Sequence, residues 1–350
     1  MAKIKRRRSS VAFTILGLVL LAFTIACRFV GQLADFYSLH IYPAVSFVLS
    51  LLSSVFPFTL QGIVIVALIV LALAFPAVAI IRKWGWKKFL RKEGMLLVWV
   101  YVWFYLGWCV NYSRSSIYTR IDASQAVYDE AAFRAFLNNY VEKINGSWTD
   151  VKPMDSTDFE SQMKDFYKDV PKEYGLAGPR SWQHPKPMLF NRLWSATGIQ
   201  GFMGPLFSET HLNSDLLPIE HPYVQAHEYS HLLGVSNEAE ANWWAYQVCM
   251  ASRDPGVRYS ALLKTMPYVW SNAKESLPEE DFKAWTDTIR PEVKNDLRAV
   301  QKHWQELRSP AIDKVQSWMY DIFLKANNIP SGTKNYSEVV QLLISLKPLS

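Results

Sequence analysis

Acidic residues are scarce in the first third of this sequence. Residues 1–111 hold 2 Asp/Glu against 12 Lys/Arg, whereas the remainder holds 29 against 25. The formal net charge of +6 is therefore a property of one end of the chain. That excludes reading the basicity as a nucleic-acid footprint, which would lie across a folded surface. Cysteine is scarce too: Cys27, Cys109 and Cys249 are the three, which implies no disulfide framework. Charge of either sign is missing from residues 62–81 and 94–110, and residues 11–30 carry only Arg28.

Uncharged apolar runs of ~20 residues match the thickness of a bilayer. Spans are expected at about 11–30, 62–81 and 93–111, the last reaching full length only with its flanks, and Pro76 is a candidate kink. Residues 43–57 (PAVSFVLSLLSSVFP) look too short and too rich in serine to cross, so an interfacial or re-entrant segment is expected there. Lys3, Lys5, Arg6, Arg7 and Arg8, and then Arg82, Lys83, Lys87, Lys88, Arg91 and Lys92, belong on the cytoplasmic side. Three spans satisfy both clusters and place everything after residue 111 outside the membrane. The alternative is a cleaved signal peptide over residues 3–27, with FTIAC as a lipoprotein-like site; Thr24, where leucine is usual, argues against it.

The division expected is a membrane anchor over 1–111 and an extracytoplasmic domain over 112–350, long enough for one core. Residues 130–173 show helical periodicity with a turn at Asn145-Gly146. Residues 186–217 read as two or three short strands broken by Gly and Pro. The chain after Cys249 reads as helical, with breaks near Pro255, Pro267, Pro291, Pro310 and Pro330. The fold class expected is mainly α (α+β): a bundle of three membrane helices plus a zincin-like α+β domain with a small sheet and a helical C-terminal part.

The chemistry concentrates in His227–Cys249, HEYSHLLGVSNEAEANWWAYQVC. Residues four apart share one helix face, so His227 and His231 can hold one zinc ion, with Glu228 beside it as general base. Pro222 suits the first turn of that helix and Gly234 its left-handed end. A catalytic zinc needs a third protein ligand. On a helix over 237–250, Glu238 shares a small-residue face with Ala241, Asn242, Ala245 and Cys249, while Glu240 points about 200° away. Glu238 is thus the expected ligand, Asn242 a support for a ligand histidine, and Glu240 a weaker candidate expected to be solvated or ion-paired. Tyr259 and His211 are candidate oxyanion donors whose structural readings weigh more. His221 reads as a capping or loop residue, and His40, His184 and His303 take no role. A strand just before the metal helix is a candidate edge for pairing with extended substrate, or a plain hairpin.

The run EAEANWWA resembles the ExxAD segment of gluzincin membrane peptidases, with Asn242 in place of Asp, and the ExEAN segment of bacterial zinc peptidases that cleave repressors. The gap of seven residues from His231 to Glu238 is shorter than in gluzincins; it is closer to the metzincin spacing, whose third histidine would fall at Asn237. Along its length the chain resembles a bacterial family, domain of unknown function 3810. The matching residues are FPF near Pro57, NYSR from Asn111, KPMLF from Lys186, GIQGFMGPLFSE, HEYSHLLG, EAEANWWAY, RYSALL, and YDIFLKANNIPSGTKNYSEVVQLL. That resemblance implies a bacterial cytoplasmic membrane protein with an external zincin-like domain, and no particular substrate. The expected activity is zinc-dependent hydrolysis of a polypeptide or peptide. The alternative is a catalytically inactive module that binds peptides or supports envelope assembly, against which the presence of Glu228 argues.

Overall fold

The computed structural model describes residues 2–153, 156–309, 318 and 338–349. The N-terminal region is helical throughout: α1 (Ala2–Phe29), α2 (Gly31–Phe36), a π turn (Tyr37–Ile41), α3 (Tyr42–Ser54), α4 (Leu60–Ile81) and α5 (Trp86–Gly107). Among the described residues, three stretches are long and apolar enough to cross a membrane: Val11–Phe29, Gly31–Ser54 and Leu60–Ile81. The first and third coincide with the sequence reading, and α4 continues through Pro76. The second departs from it. Residues 43–57 do not start a helix of their own, because the π turn carries the helical path on from Gly31. The span expected over 93–111 also changes shape. It lies in α5, which starts at Trp86, so Lys87, Lys88, Arg91, Lys92 and Glu93 occupy its first two turns. It gives way at Cys109–Ser113 to a 3-10 turn.

The rest is a mainly helical α+β domain: α6 (Ile117–Arg120), α7 (Glu130–Ser147), α8 (Ser156–Asp169), α9 (Asn191–Ala196), α10 (His221–Leu232), α11 (Glu238–Met250), α12 (Pro255–Ser276), α13 (Glu279–Asp287), α14 (Pro291–Leu307) and a C-terminal helix, Glu338–Ser345. Three short strands, β1 (Lys186–Pro187), β2 (Gly201–Gly204) and β3 (Glu209–Leu212), form a sheet in the order β1-β3-β2, with β1 parallel and β2 antiparallel to β3. Asp129 caps α7, whose helix runs through Asn145-Gly146 to Ser147; the expected turn is absent because Asn145 Nδ2 donates to Thr288 O at 2.8 Å and ties that end to the domain. Pro255 and Pro291 open helices, where a missing N–H costs nothing, but Pro267 sits inside α12 without breaking it. The breaks expected at Pro310 and Pro330 lie outside the described residues.

Two apolar clusters fill the domain. One surrounds α10 and α11, with Trp243 and Trp244 fully buried at a centroid distance of 4.8 Å. The other joins α7, α12 and α13 around Leu137, Leu262 and Met266. Burying side chains of this size contributes roughly 1.5–3 kcal/mol each. A third cluster, with Tyr37, Tyr42, Tyr105 and Trp108, joins the anchor to the domain.

Candidate metal centre

Helix α10 starts with Pro222 in its first turn and ends at Gly234, whose φ of +98° no β-carbon residue adopts comfortably. The N–H groups of Gly234 and Val235 donate to His231 O and Ser230 O at 3.0 and 3.2 Å, closing the helix end. The reversal places Val235 O 2.7 Å from His231 Nδ1. A carbonyl can only accept, so Nδ1 carries a proton and Nε2 is the nitrogen turned towards Glu238 and open to a metal that displaces any proton there. Asn237, at the place of a metzincin third histidine, instead caps α11: its Oδ1 accepts from Glu240 N at 2.8 Å.

Cap and reversal together set Glu238 on the first turn of α11, facing the histidines. His227 Nε2 and His231 Nε2 are 3.1 Å apart, and Glu238 Oε2 lies 3.2 Å from the first and 3.7 Å from the second. One ligand atom from each residue falls within a 4.8 Å group. Two ~2.0–2.1 Å bonds to zinc at a tetrahedral angle separate their donor atoms by about 3.3 Å. The three spacings bracket that value, so the donor set fits zinc in number, type and size.

The electrostatics follow from crowding charges in a buried site. Burial would raise the Glu238 carboxyl, but His231 and His227 outweigh it and hold it well below the usual range. Burial would lower His231, but Glu238 and Glu228 overcome this and push it up to about 9. Glu228 moves opposite to Glu238. Burial and the charge of Glu238 raise it, against the pull of the two histidines and the N–H of Met203. Glu228 lies against β2 so closely that a β-carbon on Gly201 would fall 2.6 Å from its Cγ.

The strand that holds Glu228 has a free edge among the described residues. Asn213 N donates to Gln200 O, so by the antiparallel register Phe202 and Gly204 also bond to β3. The backbone groups of Gly201 and Met203 therefore point away from β3, and Met203 N–H reaches Glu228.

Other elements fix the helix end from behind. Trp108 Nε1 donates to His231 O at 2.7 Å, Tyr42 OH to Leu232 O at 2.7 Å, and Arg114 Nη1 to Gly234 O at 3.0 Å. The Trp108 ring meets His231 edge-on at 6.0 Å, and Tyr112 packs edge-on against Trp108 at 5.0 Å. Burial, then the charges of Cys109 and Glu238, raise the Tyr112 hydroxyl well above its ordinary value. Tyr112 and Trp108 carry no signal at the motif, being more than a hundred residues upstream; the NYSR match touches Tyr112 without assigning it a role.

Several candidates lie elsewhere. Glu240 is buried in an ion pair with Arg120 and accepts from Trp244 Nε1 at 3.2 Å. Asn242 reaches no histidine: Nδ2 donates to Glu238 O at 2.7 Å, and Oδ1 accepts from Tyr223 OH at 3.0 Å, because Tyr223 fills the space between α10 and α11. Tyr259 donates to Asp296 at 2.7 Å within the second core cluster. His211 lies on the opposite face of the sheet from Glu228, stacked on Phe202 at 4.4 Å with Nε2 2.8 Å from Thr59 Oγ1. His221 stands at the start of α10 with Nδ1 unpartnered, and burial lowers it. His184 faces Glu160 at 2.7 Å, His303 Nε2 lies 2.6 Å from Asp215 O, and His40 packs on Phe36.

Apolar helices joined to an α+β domain that gathers two histidines and a glutamate define a membrane-region protein with a metal-ligand cluster. The chain belongs to the family described as "Protein of unknown function (DUF3810)", whose model matches residues 37–344. No curated protein and no solved structure matches it.

Proposed function

We propose that this protein is a membrane-anchored zinc-dependent peptide hydrolase. The observation that carries the reading is the convergence of His227, His231 and Glu238 at zinc-ligand spacing, with Glu228 buried beside them against a free strand edge. Zinc, when bound there, supplies an acidified water and a positive charge beside a scissile carbonyl. Glu228 takes the proton of the attacking water at its carboxylate and delivers it to the leaving amine. Its raised pKa suits that exchange, and Met203 N–H aims the carboxylate. An extended polypeptide pairs with the outward N–H and C=O of Gly201 and the C=O of Met203, which lays its backbone across the ligands. Tyr112, whose ring packs on Trp108 behind His231, is the candidate donor to a developing oxyanion.

The anchor is read with its N-terminus in the cytoplasm and the domain outside. Both basic clusters then face inward if α1, α4 and α5 cross and Gly31–Ser54 does not. Contacts at both ends of that stretch support this. Asp35 Oδ1 accepts from Ser115 N at 2.8 Å, Tyr42 donates to Leu232 O, and Ser53 O accepts from Lys186 Nζ at 2.7 Å, all partners lying in or beside the domain. A stretch held to the domain at both ends returns to the side from which it came.

The test is metal content and hydrolysis of a peptide library by the full chain. Wild type should hold one zinc and cleave. His231→Ala should lose both properties. Glu228→Gln should keep the metal and lose at least ~10²-fold in rate. A folded wild type that takes up no zinc overturns the reading.

A further inference from the structure

A helix in contact with water buries its apolar face and shows its polar one; α3 does the reverse. Ser46, Ser50 and Ser53 are buried, while Phe47, Val48, Leu51 and Leu52, with Val55 just beyond the helix, are exposed at 39–74%. The serine face is matched to the domain: Ser50 Oγ accepts from Trp182 Nε1 at 3.2 Å and Gln183 Nε2 at 3.3 Å. The apolar face is what hydrocarbon stabilises and water does not. A few residues further on, Phe190 is 64% exposed and holds a left-handed backbone at φ +59°, and Leu193 is 49% exposed. A non-glycine residue in that region costs on the order of 1–2 kcal/mol. Leu189 beside them packs on the first turn of α4, 3.2 Å from a β-carbon placed on Gly62. The apolar surface of α3 and the 190–193 knob is therefore continuous with the lipid-facing surface of a membrane helix.

The metal site stands next to this surface. The carbonyls of His231 and Leu232 are bonded by Trp108, just past the end of α5, and by Tyr42, the first residue of α3. Strand β2 starts at Gly201 beside Glu228 and leads directly to Pro205, whose O lies 2.3 Å from where a β-carbon on Gly107 would be. Leu206 O then accepts from Trp103 Nε1 at 3.0 Å, one turn inside α5, and Phe207 meets the Trp103 ring at 5.2 Å. Four strand residues span about 13 Å, so a chain paired along β2 runs from the metal ligands to the bilayer surface within that length.

We propose that the site acts at the membrane surface and that its substrates are polypeptides anchored in the same bilayer, cut in the segment next to their own span. This rests on the hydrolase reading above. A tethered substrate has a high local concentration at such a site, whereas a free peptide gains nothing from it.

The experiment uses the full chain in phosphatidylethanolamine/phosphatidylglycerol vesicles with zinc. A randomised segment is presented either behind a single apolar helix of about 20 residues or as free peptides, and the cut positions are read by mass spectrometry. The tethered library should be cut at least about tenfold faster, at positions clustered next to the helix, and not by Glu228→Gln. Equal rates, or cuts scattered without regard to the helix, overturn the proposal and leave the hydrolase reading intact. No Glu228-dependent cleavage in either arm overturns both. A nitroxide on Phe190→Cys gives a readout independent of activity, because Cys27, Cys109 and Cys249 are buried. Its collisions with oxygen should exceed those with a water-soluble nickel chelate; the opposite order overturns the proposal.

Discussion

Glu228 and Gly201 touch so closely that the position of the carboxylate depends on one missing methyl group. An alanine at 201 would place its β-carbon 2.6 Å from Glu228 Cγ and 2.7 Å from Oε1, and the carboxylate would have to swing away. Displacing a catalytic group by about 1 Å costs on the order of 10²-fold in rate. Gly201→Ala should therefore keep its zinc and lose activity by about that factor, measured as metal content beside turnover. Equal activity in the variant would mean that Glu228 is not the proton carrier. Tyr112→Phe makes a separate test at the same scale. If the hydroxyl supports the oxyanion, turnover should fall by ~10–10²-fold with KM little changed and metal retained.

At the scale of elements, the joint between the anchor and the sheet is built around Glu209. Its carboxylate accepts from Leu60 N at 3.0 Å and Gln61 N at 2.9 Å, capping the start of α4, and pairs with Lys186 at 2.7 Å. A carboxylate at a helix N-terminus opposes the positive end of the dipole. Burial alone would raise this group; His211, Lys186 and the two N–H donors outweigh it and hold it at about 2. Because the folded value is depressed, Glu209 stabilises the fold above the ordinary carboxyl range near 4.3, and that contribution disappears as pH falls from there through about 2. Glu209→Gln should lower stability by roughly 3–5 kcal/mol near neutrality, since Lys186, whose side chain is 11% exposed, loses its carboxylate partner and keeps Ser53 O. It should also flatten the acid limb of a melting-temperature profile recorded in detergent. An unchanged acid limb would assign the acid sensitivity to other carboxylates.

How far the elements could be read from the sequence depended on the range of the interactions. His227, His231 and Glu238 are set by helix period and by a seven-residue turn, all local, and the sequence pattern locates them. The three strands were legible from their Gly and Pro breaks. Gly31–Ser54 was not, because nothing in the pattern marks a π turn at Tyr37–Ile41 that carries the helix on. Pro267 reads as a break by local rules, yet packing of α12 against α7 and α11 keeps that helix whole. Asn242 lies on the face that helical phase predicts, but its partner there is Tyr223, which no periodicity identifies. Glu240 differs from Glu238 only in what the fold brings to it, the Arg120 guanidinium from α6.

For the whole molecule, the decisive fact is that the anchor is part of the site. Tyr42 and Trp108 donate to the two carbonyls at the end of the ligand helix, and Asp35 binds Ser115. A fragment of residues 112–350 keeps His227, His231 and Glu238, the proposed zinc ligands, and loses every one of these supports. It also uncovers Leu206 and Phe207, which are buried in the intact chain against Trp103 and Gln61. Partners that orient a ligand histidine typically contribute 10–100-fold to metal affinity. His231 O keeps the Gly234 N–H, whereas Leu232 O loses its Tyr42 donor, and a buried carbonyl left without a donor costs about 1–3 kcal/mol. The fragment should therefore bind zinc ~10–100-fold more weakly than the full chain in a competition with a chromogenic chelator. Full-length Trp108→Phe, which keeps the ring and deletes the donor, should fall between the two. If the fragment matched the full chain, the helices would be a tether and no more, and the site would be free to act away from the membrane. If only the fragment were weak and Trp108→Phe were normal, the loss would lie in packing at the Tyr37–Trp108 cluster and not in the hydrogen bond to His231. The intermediate result is the one expected if His231 binds the metal, because the indole N–H is bonded to that residue's own carbonyl.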